Sequence, residues 1–292
     1  MLKVLHEGDE IKSDILCVIV IYKLMLKNSI SFNSIINSQE NINKNRTIII
    51  YDNSPESQNI PNSFPIQSIY FHDKDNGGLS AAYNFAVNYC SKKQIPWLLL
   101  LDQDTSLTKE YFSELDEILP TINLNEEVVC IVPKILSGRR KISPIILQTG
   151  GFIKKIKNDI HGIADFSITG INSGTLLKVD FIKSLGGFNP LFRIDMLDYW
   201  YFKMITKYHK KSYIMKSTLQ HDLSIMDYST VSVDRYENII KAEFIFYRNY
   251  CSKNDLIIFC GRLFFRLIKQ CIKVKNKKMA RVTFNYLFCL NA

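Results

Sequence analysis

The strongest constraint on how this chain folds is a set of short apolar runs, each of which stops abruptly in polar residues. The clearest is Trp97-Leu98-Leu99-Leu100-Leu101, closed by Asp102-Gln103-Asp104-Thr105. Four consecutive leucines without polar alternation fit a strand buried on both faces, as in the middle of a parallel sheet. Residues 15–22, 47–51 and 66–71 repeat the pattern, and the stretches 28–38 and 79–89 between them suit helices. Apolar strands alternating with helices predict an α/β fold with a mostly parallel central sheet flanked by helices. Further on, the sequence predicts a helix over 109–119, strands over 128–132 and 212–215, and a helix over 234–250 with Asp234 as its cap.

Ligands of open α/β sheets bind beyond the carboxyl ends of the strands, so the polar residues that close each run carry the chemistry. Asp102 and Asp104 are one residue apart, and a turn beginning there lets both carboxylates face one ligand. Hard divalent cations such as Mg²⁺ or Mn²⁺ are held by one or two carboxylates together with substrate phosphate oxygens. The plainer alternative is that the two acids end a strand and cap the next helix. Asp52, closing the second run, can accept hydrogen bonds from a base or ribose. Asn76-Gly77-Gly78 stands at a helix start, where backbone approaches a ligand closely and the helix dipole favours an anion; each also reads as an ordinary turn. Asp195 and Asp198 are three residues apart and share one side of a helical turn, or serve as cap and first-turn acid. His221 is a lone histidine, and such a residue is more often structural than a ligand, since a metal site needs partners.

Charge sets the C-terminal segment apart. Of the net +9, residues 251–292 hold nine Lys/Arg against Asp255, a local +8 that leaves +1 for the rest. Arg262, Arg266, Lys269 and Lys273 fall on one helical face, with Leu263, Phe264, Leu267, Ile268 and Cys271 on much of the remainder. A basic segment interleaved with apolar residues suits an anionic membrane surface better than nucleic acid, and no nucleic-acid partner is expected. The rival is a packed extension whose charges are solvated. No run is long and apolar enough to span a bilayer, residues 1–14 do not resemble a signal peptide, and seven cysteines without a C-x-x-C pair point to reduced thiols. A cytoplasmic location, peripheral on the inner face of the cell membrane, is the expectation. The polar and basic region 134–170, with Gly138-Arg139-Arg140-Lys141, is harder to assign to elements.

Val18-Ile19-Val20-Ile21-Tyr22, Tyr51-Asp52-Asn53-Ser54, Asn76-Gly77-Gly78-Leu79-Ser80-Ala81-Ala82-Tyr83-Asn84 and Leu101-Asp102-Gln103-Asp104-Thr105 stand in the order seen in family 2 glycosyltransferases. The Asp-Gln-Asp form and the double glycine resemble the rhamnosyltransferase branch. The resemblance covers roughly residues 14–250. It implies a GT-A type, Rossmann-like fold with a C-terminal helical extension. A catalytic domain would fill 1–250, with a nucleotide-sugar half over 14–133 and an acceptor half over 134–250, in which 134–170 begins to shape the acceptor side; a basic amphipathic segment would fill 251–292. The resemblance further implies that Asp52, Asn76, Gly77, Gly78, Asp102 and Asp104 bind the donor, and that Asp104 and Asp102 hold Mg²⁺ or Mn²⁺, with His221 as a further metal ligand or diphosphate contact. Gly186-Gly187-Phe188 followed by an acid pair is similar to the segment carrying the family's base, which aligns with Asp198, Asp195 competing for the role. The donor would be dTDP-rhamnose or a UDP-sugar, the acceptor a glycan or lipid-linked glycan in bacterial cell-surface polysaccharide assembly, and the anomeric configuration would invert. Lys23, Trp200 and Met204 depart from the family pattern. A non-catalytic nucleotide- or glycan-binding protein of the same fold, and a sugar-1-phosphate nucleotidyltransferase, are the alternatives.

Overall fold

The computed structural model of the chain describes residues 14–39, 46–60, 68–221, 231–273 and 277–288. Four parallel strands form one half of its main sheet: β1 (Ile15–Ile21), β2 (Thr47–Asp52), β3 (Ser68–His72) and β4 (Trp97–Asp102). β1, β2 and β4 are buried on both faces, apart from Asp102 at the end of β4, as their unbroken apolar runs require. Residues 66 and 67 of the expected third strand lie outside the described residues. The helices between these strands are α1 (Ile30–Gln39) and α2 (Gly78–Lys93).

After the two-residue strand β5 (Thr105–Ser106) comes α3 (Lys109–Asn123), capped by the Thr108 hydroxyl on the Tyr111 N–H at 3.2 Å. The second half of the sheet holds β6 (Val128–Ser137), β7 (Arg140–Ser143), β10 (Gly162–Ile163), β11 (Leu176–Lys178) and β12 (Lys211–His221). Between β7 and β10 lie β8 (Ile145–Leu147) and β9 (Ile153–Lys155), which form a separate two-stranded sheet, with Ile145 also bridging to Thr169. The order of the main sheet is β10-β12-β6-β11-β4-β1-β2-β3, with β5 added to β12 and β7 to β6. β11 is antiparallel to both β4 and β6, and β12 is parallel to β6, so the six longer strands run the same way. β6 and β12 extend well beyond the expected 128–132 and 212–215. Pro133 interrupts the apolar pattern of β6, and two register shifts break that of β12.

Leu99, Leu101, Ile131, Ile135 and Leu176 pack in one apolar core with Phe32 and Ile35 of α1 and Tyr111, Leu115 and Leu119 of α3. α2 packs on β1 and β4, burying Ala82, Tyr83 and Ala86. Two further helices are α4 (Val179–Ser184) and α5 (Leu197–Lys207).

The chain divides into two compact units, one of residues 1–145 and 156–222, the other of 146–155 and 223–292. The second holds α6 (Val233–Tyr250), α7 (Lys253–Lys273) and α8 (Lys278–Phe288). The cap of α6 is Ser232, whose hydroxyl accepts the Arg235 N–H at 3.2 Å; Asp234, expected there, lies in the first turn. The expected basic face of α7 is also revised. Arg262 donates to the Gly150 carbonyl at 2.6 Å and Arg266 pairs with Glu243 at 2.9 Å, so both are spent within this unit. The Lys273 side chain and Lys275 lie outside the described residues. Leu263 is fully buried, while Ile257, Phe264, Phe265, Ile268 and Ile272 are exposed. No described helix is long and apolar enough to cross a membrane.

Candidate active site

Parallel register brings several strand ends to one edge of the sheet. Val20 pairs with Asp102 on one side of β1, Ile21 with Asp52 on the other, and Asp52 with His72. Asp52 and Asp102 are therefore separated by the width of β1, about 10 Å at the usual strand spacing.

Beyond Asp102 the chain turns, and the start of α1 holds that turn from below. Fully buried Ser29 donates to the Gln103 carbonyl at 2.9 Å. The Ser31 hydroxyl, also fully buried, contacts the carbonyls of Asp102 and Thr105 and accepts the Thr105 N–H at 2.9 Å. The Asp102 N–H donates to Ser173 at 3.0 Å, and the Ser173 and Thr105 hydroxyls share a short hydrogen bond. Past the turn, Thr105 pairs with His221 at the end of β12. This places His221 Nδ1 3.2 Å from the Thr105 hydroxyl and 3.4 Å from Asp104 Oδ1. One donor atom each from Asp102, Asp104 and His221 lies within 4.8 Å of the others. Asp104 Oδ1 is buried without a hydrogen-bond partner. An orphaned carboxylate oxygen with a second carboxylate and an imidazole nitrogen is a donor set that fits one divalent cation. Residues 222–224, which continue the His221 stretch, lie outside the described residues.

The acid pair downstream differs from a simple helical turn. α5 starts at Leu197, and its cap position is Met196, in left-handed conformation (φ 62°) with no side-chain cap bond. Asp195 precedes the helix and does not cap it. Asp198 lies in the first turn and accepts the Tyr199 N–H at 2.9 Å. Burial pushes its carboxyl up to about 7, and the charges of Asp102 and Asp195 add to the effect. Asp102 is likewise raised, chiefly by burial; His221 opposes this and Asp104 reinforces it. Asp102 and Asp198 thus lie within electrostatic reach of each other, although β4 and α5 are far apart in sequence.

Tyr83 connects them. Its ring is fully buried, 5.2 Å from that of Phe188, and its hydroxyl has no hydrogen-bond partner. Burial raises its pKa well above the tyrosine range, and the two charges acting on it are Asp102 and Asp198. In the sequence Tyr83 stands inside the stretch 76–84 with nothing to single it out as a site residue beyond its being a large polar aromatic among the small residues of a buried helix face. Asn84, beside it, clamps the Phe188 backbone with two hydrogen bonds of 2.8 and 2.7 Å, tying α2 to the segment that leads to Asp198.

Two expected donor contacts have a different local role. Asp52 is fully buried. Oδ1 accepts the Ser54 N–H at 2.9 Å, and Oδ2 accepts Tyr70 at 2.7 Å and Gln58 at 3.0 Å. In this conformation the carboxylate has no surface to offer a base or ribose; it organises the loop after β2. At Gly78 (φ 80°) the group in close approach is the backbone of Arg193, because a Cβ there would lie 2.5 Å from the Arg193 carbonyl oxygen. Ser80 N–H donates to that oxygen at 3.2 Å, and the Arg193 guanidinium bonds to the Asn76 carbonyl. Asn76 and Gly78 therefore seat the 186–198 segment on α2, while the Gly77 N–H donates to Asp73 at 2.8 Å. Trp200 and Met204, which depart from the family pattern, are buried packing residues; Lys23 is left-handed (φ 52°), its ammonium 5.1 Å from the centre of the Tyr22 ring.

The mostly parallel mixed sheet flanked by helices, with carboxylates and a histidine gathered at the carboxyl ends of its strands, is a GT-A type fold. The chain matches the model described as glycosyl transferase family 2 over residues 30–180, more than half its length. It belongs to that family. Among solved structures it is similar to S. aureus TarS 1-349, with 13% identity, a TM-score of 0.57, and coverage of 94% of this chain and 78% of that one. The same TarS fragment in complex with UDP-GlcNAc gives a TM-score of 0.56 at 13% identity, covering 94% and 81%. The mannosyltransferase PcManGT from Pyrobaculum calidifontis, in complex with GDP-Man and Mn²⁺, gives 0.54 at 9% identity, covering 95% and 80%. At these identities the likeness is one of fold. A comparison with curated proteins gives no match.

Proposed function

We propose that the chain is an inverting, metal-dependent glycosyltransferase that moves a sugar from a nucleotide-diphosphate donor to a hydroxyl of a glycan. The observation that carries this reading is the gathering of Asp102, Asp104 and His221 at one strand edge, within electrostatic reach of Asp198. Asp102, Asp104 and His221 would hold a divalent cation, Mg²⁺ or Mn²⁺. The chemistry such an ion supplies when bound is neutralisation of the charge that builds on the departing diphosphate. Asp198 takes the proton from the acceptor hydroxyl as that oxygen attacks the anomeric carbon from the opposite face. A carboxyl pushed up to about 7 suits this work, because a general base is most effective with a pKa near the operating pH. One displacement of this kind inverts the configuration and needs no covalent enzyme intermediate. Asp52 and the Asn76-Gly77-Gly78 turn act by positioning the loops around the donor.

Rhamnose is the favoured sugar, from dTDP-rhamnose, with UDP-sugars next; the support is the Asp-Gln-Asp form and double glycine of the sequence. Assembly of bacterial cell-surface polysaccharide is the proposed setting, with the C-terminal unit docked on the inner face of the membrane.

The test is a screen of sugar nucleotides by mass spectrometry with Mg²⁺ and with Mn²⁺, followed by calorimetry of the donor that is turned over. Asp104→Asn should abolish turnover and remove the metal dependence of donor binding, since a neutral amide lacks the carboxylate's charge. Metal-responsive binding that survives in the variant would overturn the assignment.

A further inference from the structure

Register identifies a second charged locus on the same edge of the sheet. Leu176 of β11 pairs with Leu99 on one side and Ile131 on the other, so Lys134 of β6 is level with Asp102 of β4. Leu101 and Ile135 both point into the α1/α3 core, so their neighbours Asp102 and Lys134 alternate to the opposite face. Two strand widths, about 10 Å, separate their backbones.

Lys134 is only 8% exposed, and its ammonium donates at 2.6 Å to the Asn158 carbonyl. No carboxylate among the described residues pairs with it. β7 folds back antiparallel and pairs Lys141 with Leu136, bringing a second lysine to the same side. Lys141 is half-buried. Burial, and then the charge of Lys134, hold its ammonium below the usual lysine range, opposed by Asp159 without an ion pair. An ammonium removed from water is costly unless an opposite charge compensates it. Here two stand together with one carbonyl bond between them, and Arg139 and Arg140 stand exposed at the hairpin tip beside them.

We propose that Lys134 and Lys141 form an oxyanion site on the acceptor side of the sheet, one that takes a phosphate or carboxylate group of an anionic glycan acceptor. This deepens the glycosyltransferase reading and rests on it: the acceptor is charged, and its charge is read from a strand whose backbone lies two strand spacings, about 10 Å, from that of Asp102. The recognised chemistry is a tetrahedral or planar oxyanion. Its source is either a phosphodiester or carboxylate within the glycan or the diphosphate of a lipid-linked acceptor.

The first measurement is calorimetric titration of metal-free protein, in EDTA, with inorganic phosphate, so that phosphate held through a cation at Asp104 does not contribute. Wild type should bind phosphate, and Lys141→Gln should weaken it roughly tenfold, the loss expected for one charge-assisted hydrogen bond. Lys134→Met should weaken it at least as much; should that variant not fold, the half-buried Lys141 still decides. The second measurement is transfer to synthetic glycosides that differ only in a neutral, phosphodiester, carboxylate or diphosphate-lipid substituent. The charged acceptor should have the lower KM, and Lys141→Gln should remove that advantage while leaving donor hydrolysis unchanged. No phosphate binding by wild type, or undiminished binding by Lys141→Gln, overturns the inference while donor turnover stands. Absence of donor turnover with any sugar nucleotide is a separate result, directed at the function itself.

Discussion

Asp198 is where burial and chemistry pull against each other. Its carboxyl, raised to about 7 chiefly by burial, binds a proton in the folded chain that the unfolded chain releases near pH 4. Stability from this residue is therefore fully present below pH 4 and lost as pH rises toward 7. Asp198→Asn should raise stability at pH 8 by roughly 2 kcal/mol and leave it unchanged at pH 4, less than the full shift implies because the side chain keeps part of its solvation. Activity runs the other way. The base must be ionised, so wild-type kcat/KM should climb with pH and level off above about 7, and the variant should lose roughly 10²–10⁴-fold. Asp195→Asn is the control; an activity loss confined to that variant would move the base to Asp195, ahead of the helix. Tyr83 gives the complementary case. Removing a buried hydroxyl that has no partner should raise stability by roughly 1–3 kcal/mol, the cost of keeping an unpaired polar group from water. If the hydroxyl acts on the carboxylates beside it during turnover, Tyr83→Phe lowers kcat about tenfold at unchanged donor KM. Equal kcat in the two proteins would leave Tyr83 a packing residue.

At the scale of elements, what the sequence revealed depended on pattern length. β1, β2 and β4 were legible because short unbroken apolar runs closed by polar residues have few other uses. β6 was read at half its length and β12 at less, since Pro133 and two register shifts erase periodicity while tertiary pairing continues the strands. β5, two residues long, carries no pattern, yet its pairing with β12 is what brings His221 to Asp104. The acid pair was therefore readable as a motif, and its histidine only through a resemblance. The double glycine was readable as a special backbone site, but the group it admits is Arg193, a contact formed between elements far apart in the chain. Least visible was the start of α1. Ser29 and Ser31 look like ordinary N-terminal polar residues, but they hold the turn between Asp102 and Thr105. Ser31→Ala leaves the Thr105 N–H buried and unpaired, so it should cost about 1–3 kcal/mol in denaturant unfolding. It should also weaken metal-dependent donor binding, although Ser31 is proposed to touch neither metal nor donor. A variant that loses stability but keeps full donor affinity would show that the turn does not depend on this clamp.

For the molecule as a whole, the outstanding feature is the helical unit, which carries a strong positive charge and an uncovered apolar row. On α7, Ile257, Phe264, Phe265, Ile268 and Ile272 recur at helical spacing on one face, and Phe265 and Ile272 are 72% and 75% exposed. On α8, Phe284 and Phe288 are exposed with their rings 4.9 Å apart, one turn from exposed Arg281. A soluble surface seldom leaves so many large apolar groups in register. An anionic leaflet fits both features: rings and aliphatic chains enter the interface, and each nearby Lys or Arg contributes about 1 kcal/mol. Arg262 and Arg266 are committed within the unit, so the attraction falls to Lys253, Lys269 and Arg281. Co-sedimentation with vesicles should rise with anionic lipid content and fall with salt. Phe265→Glu with Ile272→Glu, two exposed positions that leave the packed face of α7 intact, should abolish it without lowering the melting temperature. Light scattering supplies the competing outcome: a dimer that the same double substitution dissociates would mean the apolar row belongs to a second copy of the chain. Full-length protein that stays in the supernatant at low salt with anionic vesicles would rule out the membrane as its partner.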